Sequence, residues 1–316
     1  MKKAKLPVGE ALCLLAALIW GLAFSAQDAA SEHIPAFTCN SLRSYVGGLV
    51  LIPVILLFDR LRGNGRRLFS RRNRHFVDLS ADELKGGALC GLCLSAASAV
   101  QQLGFDYGAE AGKAAFLTAL YVVLVPVAGL LFRRRVGWQI WCAVGMTVVG
   151  IFLLSVNPAT FSVAKADWII LLCALLFTCH ILCIDHFSSR VDGVRLACVQ
   201  FFVAALVCTP LMVFEQPSGG EILAAALPVL YLGVMSSGVA YTAQVLGQQH
   251  TSPTVASILL SLESVFGVLF GALIGGERMN PREIIGCVIV FAAILLSQIP
   301  LSARKHPPAQ TGEKSE

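Results

Sequence analysis

Long uncharged segments recur along the chain and dominate its pattern of hydrophobic and polar positions. Residues 86–105, 114–132, 196–214 and 284–303 contain no Asp, Glu, Lys or Arg. A helix needs about 20 mostly apolar residues to cross the hydrocarbon core of a bilayer. The pattern therefore predicts an all-α integral membrane protein with ten transmembrane helices. The predicted spans are 9–28, 36–58, 86–106, 110–132, 137–156, 167–186, 194–214, 222–246, 253–275 and 282–301.

Composition supports a membrane location rather than a large soluble core. The chain is 56% hydrophobic and 14% charged, whereas soluble domains carry about 25% charged residues. All 11 Cys lie in apolar segments, which indicates buried thiols rather than a secreted, disulfide-linked scaffold. The basic N-terminus and the apolar run after it are similar to a signal peptide. Because this run matches a later segment, we interpret it as a retained first helix.

Lys and Arg are distributed unequally between the two predicted sides of the membrane. With the N-terminus inside, ten spans place 19 of these residues on the cytoplasmic side and four outside, with Arg43 inside a span. Cytoplasmic loops of membrane proteins carry this positive excess. The sequence therefore predicts that both termini are cytoplasmic. The Arg-rich segment 59–85 is interpreted as a cytoplasmic loop, and nucleic acid is not expected as a partner.

Weak internal similarity divides the chain into two halves. A shift of 142 residues superimposes 119–121 on 261–263, and a shift of 143 superimposes 101–104 on 244–247. Five spans per half would give the halves opposite orientations in the membrane, which is an inverted repeat. We predict a first five-helix repeat at 9–156, a second at 166–300 and a cytoplasmic polar tail at 301–316.

Several motifs give the chain a family resemblance over about residues 9–300. They are Trp20-Gly21-Leu22-Ala23-Phe24, Arg43, the segments 102–104, 111–118 and 120–126, Ser261-Leu262-Glu263 and Gly276-Glu277-Arg278. With these motifs the chain resembles EamA-type transporters of the drug/metabolite transporter superfamily. The resemblance implies a proton-linked or exchange-linked carrier, or an exporter, of amino acids and similar metabolites. It also implies a central cavity between the halves.

The chain departs from the family pattern at two places. Ser264 stands where the family often has Pro after the ninth-helix acid, so a helix break there is expected to be weaker. Arg133, Arg134 and Arg135 stand where an acidic residue is frequent at the end of the fourth helix. Gating contacts are therefore not expected to be symmetric between the halves.

Two charged residues inside predicted spans are the foremost candidates for substrate binding and translocation. Glu263 is the only formally charged residue between Glu221 and Glu277. An ionised carboxylate at mid-membrane costs about 2.5–3.5 kcal/mol on insertion scales, so such residues usually face a wet cavity or a partner. We expect Glu263 to bind substrate or a coupling proton, or else to bond neighbouring helices. Arg43 could bind a substrate carboxylate, pair with Glu263 or extend to the outer head groups.

Uncharged polar and aromatic residues complete the candidate translocation site. Gln101, Gln102 and Gln244 need hydrogen-bond partners in lipid, and the repeat places Gln101 and Gln244 at equivalent depth. They are expected to line the cavity or to bond between helices. Trp20 and Tyr121 could form aromatic walls or pack as ordinary apolar groups.

The remaining candidates are a histidine, a thiol face and a glycine pattern. His180 in the sixth span could titrate near neutral pH or serve as a buried structural residue. Cys179, Cys183 and His186 share one helical face, but we expect no metal there because no second ligand cluster is visible. Gly267, Gly271 and Gly275 have the four-residue spacing that lets helices approach closely.

These features together predict a secondary transporter of small metabolites in the cytoplasmic (inner) membrane. It would work by alternating access and, on the family resemblance alone, in the export direction. Expected partners are a small-molecule substrate, the lipid bilayer and a coupling proton, with the chain acting as a monomer or a homodimer. No enzymatic activity and no cofactor are expected, since no phosphate-binding loop for ATP is present. The alternatives are an intramembrane enzyme acting on lipid-linked substrates, a lipid flippase and a membrane sensor.

Overall fold

The computed structural model of the protein describes residues 8–62, 79–109, 111–131, 136–155, 164–274 and 281–297. Within these ranges the regular structure is entirely helical. The helices are α1 Val8–Ser31, α2 Ala36–Arg62, α3 Ala81–Asp106, α4 Ala111–Ala119, α5 Tyr121–Leu131, α6 Trp138–Ser155, α7 Lys165–Ser188, α8 Gly193–Glu215, α9 Gly219–Ala224, α10 Ala226–Tyr231, a π-helix Leu232–Tyr241, α11 Thr242–Gln248, α12 Pro253–Leu260, α13 Glu263–Ile274 and α14 Pro281–Ser297.

Every predicted span falls on one of these helices or on a series of them. By length and composition, seven helical segments of the described chain can cross a membrane. Three shorter apolar helices, Trp138–Leu153, Pro253–Gly267 and Ile284–Ser297, coincide with the predicted fifth, ninth and tenth spans. The predicted ends of these three spans, at residues 156, 275 and 301, lie outside the described residues. The structure is therefore an all-helical membrane fold, and the ten-span topology with its cytoplasmic ends stays a prediction.

Two of the predicted spans are interrupted near their middle. The span predicted at 110–132 is divided into α4 and α5 at Leu120, and the span predicted at 253–275 is divided into α12 and α13 at Ser261 and Leu262. Around each interruption, backbone N–H groups bond to the carbonyl three residues earlier, as in Val123 N to Leu120 O (3.0 Å) and Ser264 N to Ser261 O (3.2 Å). Such tighter bonds keep the backbone polar groups satisfied where the regular helix stops. The second break is present although Ser264 replaces the proline expected there.

The start of α2 is capped by acidic side chains from elsewhere in the chain. At the start of α2, Glu215 accepts hydrogen bonds from the backbone N–H groups of Phe37 (3.0 Å) and Thr38 (2.6 Å), and Asp106 accepts one from Ala36 (2.9 Å). Acidic groups at a helix N-terminus satisfy free N–H groups and complement the helix dipole. These contacts join the ends of α3 and α8 to the start of α2.

An ion pair joins α2 and α8 at their other ends. Arg195 Nη2 lies 2.6 Å from Asp59 Oδ1, and both side chains are largely buried. Because α2 and α8 also pack along their length, the two helices are held together at both ends.

Small residues allow close helix packing next to the cavity described below. A Cβ placed on Gly21 of α1 would lie 2.5 Å from Phe266 Cβ and 2.9 Å from the Gly267 backbone N on α13. Of the three predicted packing glycines, Gly267 contacts α1 at this point. Gly271 lies on α13, but its surroundings are not described, and Gly275 lies outside the described residues. The closest approach between α1 and α13 is therefore made at Gly21. The glycine spacing on the ninth span did not predict a role for this residue.

We predict that Gly21→Ala lowers the stability of the folded protein by about 1–3 kcal/mol, since the added methyl group must displace the α13 backbone. Thermal unfolding of the detergent-solubilised protein measures this effect. Gly145→Ala on α6 is the matched control, because a Cβ there meets no atom within 4 Å. Equal midpoints for the two variants would contradict the close α1–α13 contact.

Candidate functional site

The two interrupted helices meet at a contact between Tyr121 and Glu263. Tyr121 is the first residue of α5 and Glu263 is the first residue of α13. The Tyr121 hydroxyl donates a hydrogen bond to Glu263 Oε1 at 3.1 Å, and each residue is 4% exposed. The Ser264 hydroxyl adds a second link by donating to the Ala115 carbonyl of α4 at 3.2 Å. The helix breaks thus place a carboxylate and a phenol together inside the protein.

A cavity lies against this contact, with about 450 Å³ of space between protein atoms, part of it open to the outside, and most of the candidate residues line it. Six of the eight residues predicted for substrate binding and translocation line it, although they come from six different helices. They are Trp20, Arg43, Gln101, Tyr121, Gln244 and Glu263.

The other two candidates are buried outside the cavity lining. Gln102 donates through Nε2 to the backbone carbonyl of Gln27 at 2.9 Å, so it bonds between α3 and α1. His180 is fully buried, and its Nε2 lies 3.3 Å from Gln200 Oε1. The His180 ring contacts the Tyr241 ring edge-on at 5.8 Å between centroids. His180 therefore lies behind the cavity wall rather than on its surface.

Arg43 and Glu263 face the same cavity without binding each other. Within the described part of the chain, the Arg43 guanidinium donates to Gln27 Oε1 at 3.3 Å, and Glu263 accepts from Tyr121. Arg43 is 4% exposed, so its side chain does not extend to the surface. A guanidinium has five N–H donors and a carboxylate has about four acceptor positions. The hydrogen bonds among the described residues use only one N–H of Arg43 and one oxygen of Glu263.

Trp20 and Tyr241 form an aromatic wall of the cavity. Trp20 and Tyr241 meet edge to face with 4.6 Å between ring centroids, and the Trp20 indole N–H donates to the Ser236 carbonyl at 3.3 Å. Both Ser236 and Tyr241 belong to the π-helix. Single-turn π segments in α-helices are frequent at functional sites, and this one extends over ten residues.

Uncharged polar groups line the cavity together with the aromatic rings. Gln101 donates through Nε2 to the Thr118 hydroxyl at 3.1 Å. Gln244 also lines the cavity, and among the described residues its Oε1 has no hydrogen-bond partner. A buried amide oxygen of this kind is suited to accept a hydrogen bond from a ligand.

Several lining residues were not identified from the sequence. They are Ala23, Phe24, Gln27, Thr118, Phe177, Ile181, Ser236, Tyr241 and Leu260. Helical spacing could have revealed some of them. Phe24 and Gln27 follow Trp20 at i+4 and i+7, and Tyr241 precedes Gln244 by three residues, so each pair shares a helix face.

The predicted thiol face on α7 does not form a metal site within the described residues. Cys179 and Cys183 face two cysteines of α3, and His186 packs edge-on against Phe187 at 4.8 Å between ring centroids. In the described ranges, no group of three or more His, Cys, Asp or Glu side chains is arranged to hold a metal ion.

Comparison with known proteins relates this architecture to transporters. An uncharacterized transporter of Archaeoglobus fulgidus is 26% identical over 283 residues, covering 89% of this chain and 83% of that protein. The uncharacterized inner membrane transporter YedA of Escherichia coli K12 is 24% identical over 294 residues, covering 89% and 87%. A protein of known crystal structure superposes with a TM-score of 0.71 at 17% identity, covering 92% of this chain and 96% of that chain. At 17% identity, the similarity to this crystal structure shows only that the two chains share a fold.

A family model settles the relationship. The model of the EamA-like transporter family matches the chain twice, at residues 7–156 and 164–298. The two matches together include all the residues that line the cavity. The chain therefore belongs to the EamA-like transporter family, a family of membrane transporters within the drug/metabolite transporter superfamily.

Proposed function

We propose that the protein is a secondary transporter that binds a small metabolite in the cavity beside Glu263 and releases it on the other side of the membrane. The observation that carries this proposal is the cavity that Arg43, Glu263 and the aromatic wall of Trp20 and Tyr241 line together. A site of this kind suits a small polar solute with an apolar part. The export direction is proposed from the family resemblance alone.

The arrangement of the cavity walls supports alternating access. Helices α3, α4 and α5 pack against α7, and α11, α12 and α13 pack against α1. Both groups contribute to the lining, the first through residues such as Gln101 and Phe177 and the second through residues such as Trp20 and Glu263. Transporters built from inverted repeats open such a site to each face in turn by rocking one group of helices against another.

Three observations support two five-helix repeats related by a pseudo-two-fold axis. The family model matches the two parts of the chain separately. Tyr121 and Glu263, which touch each other, are separated by the same 142 residues that superimpose the halves. Residues at equivalent positions meet in this way only close to a two-fold axis. Equivalent helix pairs also pack alike, with Gly104 of α3 close to Ile170 of α7 and Gly247 of α11 close to Cys13 of α1.

Glu263 is proposed as the group that binds the substrate or carries a coupling proton. Its Oε1 accepts a hydrogen bond from Tyr121, and within the described ranges no hydrogen bond engages Oε2. Tyr121 is a positioning residue in this scheme because it orients the carboxylate. Arg43 would bind an anionic group of the substrate from the opposite side of the cavity.

The YedA relative is named as an inner membrane protein, which supports placing this chain in the cytoplasmic membrane. The excess of Lys and Arg in predicted inner loops supports an orientation with both termini in the cytoplasm. The partners in this proposal are the substrate and the bilayer, and no further cofactor is required.

Glu263→Gln is expected to abolish uptake driven by a pH gradient in inverted vesicles while substrate exchange stays measurable. The amide keeps the size and a hydrogen-bond acceptor but cannot carry a proton or a negative charge. The substrate is first identified by testing a metabolite panel on the reconstituted protein. Unchanged gradient-driven flux would remove Glu263 from the coupling role.

Two control variants separate coupling from general damage. Tyr121→Phe is expected to lower flux only about fivefold, because a single buried hydrogen bond contributes roughly 1 kcal/mol. Glu221→Gln on α9 removes an acidic group that is fully exposed, and flux is expected to stay at the wild-type level. A loss in Glu221→Gln as large as that in Glu263→Gln would contradict a specific role for the buried acid.

The proposed topology predicts that reporters fused to either terminus are found in the cytoplasm. A fluorescent protein at the C-terminus should fluoresce, and alkaline phosphatase at the same position should be inactive because it needs the oxidising exterior. A phosphatase inserted after Gly108, in the turn at the end of α3, should be active. Active phosphatase at the C-terminus would contradict an even number of spans.

A further inference from the structure

Four cysteines from two helices lie together on one side of the bundle, away from the cavity. Cys90 and Cys183 are 3.5 Å apart between their Sγ atoms, which join α3 to α7. The thiol of Cys93 also lies within hydrogen-bond range of Cys183, and Cys179 is close enough to Cys93 for an electrostatic interaction. All four thiols are free. The sequence had indicated a thiol face on α7, but the facing pair on α3 became evident only from the packing.

The helices that carry these thiols pack antiparallel in a fixed register. A Cβ on Gly86 would contact the ring of Phe187, and a Cβ on Gly104 would contact Ile170. The start of α3 therefore packs against the end of α7, and the end of α3 packs against the start of α7. The contact between Cys90 and Cys183 follows the same register. Close backbone approach on both sides of the thiol pair limits sliding of α3 along α7, so the two sulfur atoms stay near each other.

A disulfide bond needs only a small adjustment of this arrangement. The S–S bond length is about 2.05 Å, so sulfur atoms 3.5 Å apart must approach by about 1.5 Å. Rotation about the side-chain bonds of two cysteines can supply a movement of this size. The thiols differ in access, since Cys90 is buried, Cys93 and Cys183 are half-buried, and Cys179 is exposed on the outer surface of the bundle.

We infer that Cys90 and Cys183 form a redox-modification site at which a small uncharged peroxide creates a reversible disulfide between α3 and α7. The peroxide oxidises the Cys183 thiol to a sulfenic acid and is itself reduced to water. The Cys90 sulfur then attacks the Cys183 sulfur, which forms the S–S bond and releases a second water. The overall reaction converts two thiols and one hydrogen peroxide into one disulfide and two waters, and a dithiol reductant reverses it.

The disulfide joins residues that are distant in the sequence and that belong to the two segments matched by the family model. Cross-linking such distant positions restricts the unfolded chain, which raises stability. Because the register of α3 and α7 is already set by their glycine contacts, the bond is expected to strengthen this pair without rebuilding it.

The test oxidises the purified full-length protein with hydrogen peroxide, blocks the remaining thiols with N-ethylmaleimide and maps the peptides by mass spectrometry. We expect a peptide pair linked through Cys90 and Cys183 that disappears on treatment with dithiothreitol. The thermal unfolding midpoint should rise on oxidation by on the order of 5 °C. If hydrogen peroxide has oxidised Cys179 completely but Cys183 is still recovered as its N-ethylmaleimide adduct, the inference is overturned.

Single substitutions make the assignment specific. Cys183→Ser and Cys183→Ala should both abolish the link and the rise in midpoint, whereas Cys142→Ser on α6, an exposed thiol outside the cluster, should preserve them. Cys90→Ser should shift the link to Cys93, because that thiol also lies beside Cys183. A link between two copies of the chain through Cys179, in place of the internal link, would contradict the site.

Discussion

A backbone inside a bilayer has no water to bond with, so each of its N–H and C=O groups must find a partner within the protein. Irregular backbone is therefore tolerated at membrane depth only where protein or a cavity surrounds it. In this protein the backbone groups at the breaks at Leu120 and at Ser261–Leu262 find partners, and the broken helices are supported, in two ways. Shorter backbone bonds close each break, and the broken helices support each other through Ser264 and through Tyr121 with Glu263.

The same requirement accounts for the chemistry of the cavity. A carboxylate is costly in lipid, but Glu263 stands where the interrupted helix begins, and a tyrosine hydroxyl bonds to it. Arg43 is likewise held by Gln27 within the bundle. Among the described residues, the two charges have separate hydrogen-bond partners and do not pair with each other. A ligand that carries one or both complementary groups can therefore compete for their remaining positions.

Glycines allow several helices of this chain to pack closely. Gly21 lets α1 approach α13 beside the cavity, and Gly86 and Gly104 set the register of α3 against α7. Small side chains are common at helix contacts in membranes, where close van der Waals packing replaces the hydrophobic effect as the source of association. The facing thiols of Cys90 and Cys183 are a consequence of that register.

The sequence by itself determined the class of structure, because the helix positions follow from uncharged segments of membrane-spanning length. It also identified Glu263 and Arg43, since charges are conspicuous in such segments, and it brought Tyr121 to attention through the repeat. Only the tertiary structure decided that Tyr121 touches Glu263, that Arg43 binds Gln27 instead of the acid, and that His180 lies behind the wall. Hydropathy indicates where a residue lies along the membrane normal. It does not indicate how each helix is rotated about its axis or which residues its side chains contact. Those are decided by side-chain packing between segments that are far apart in the chain.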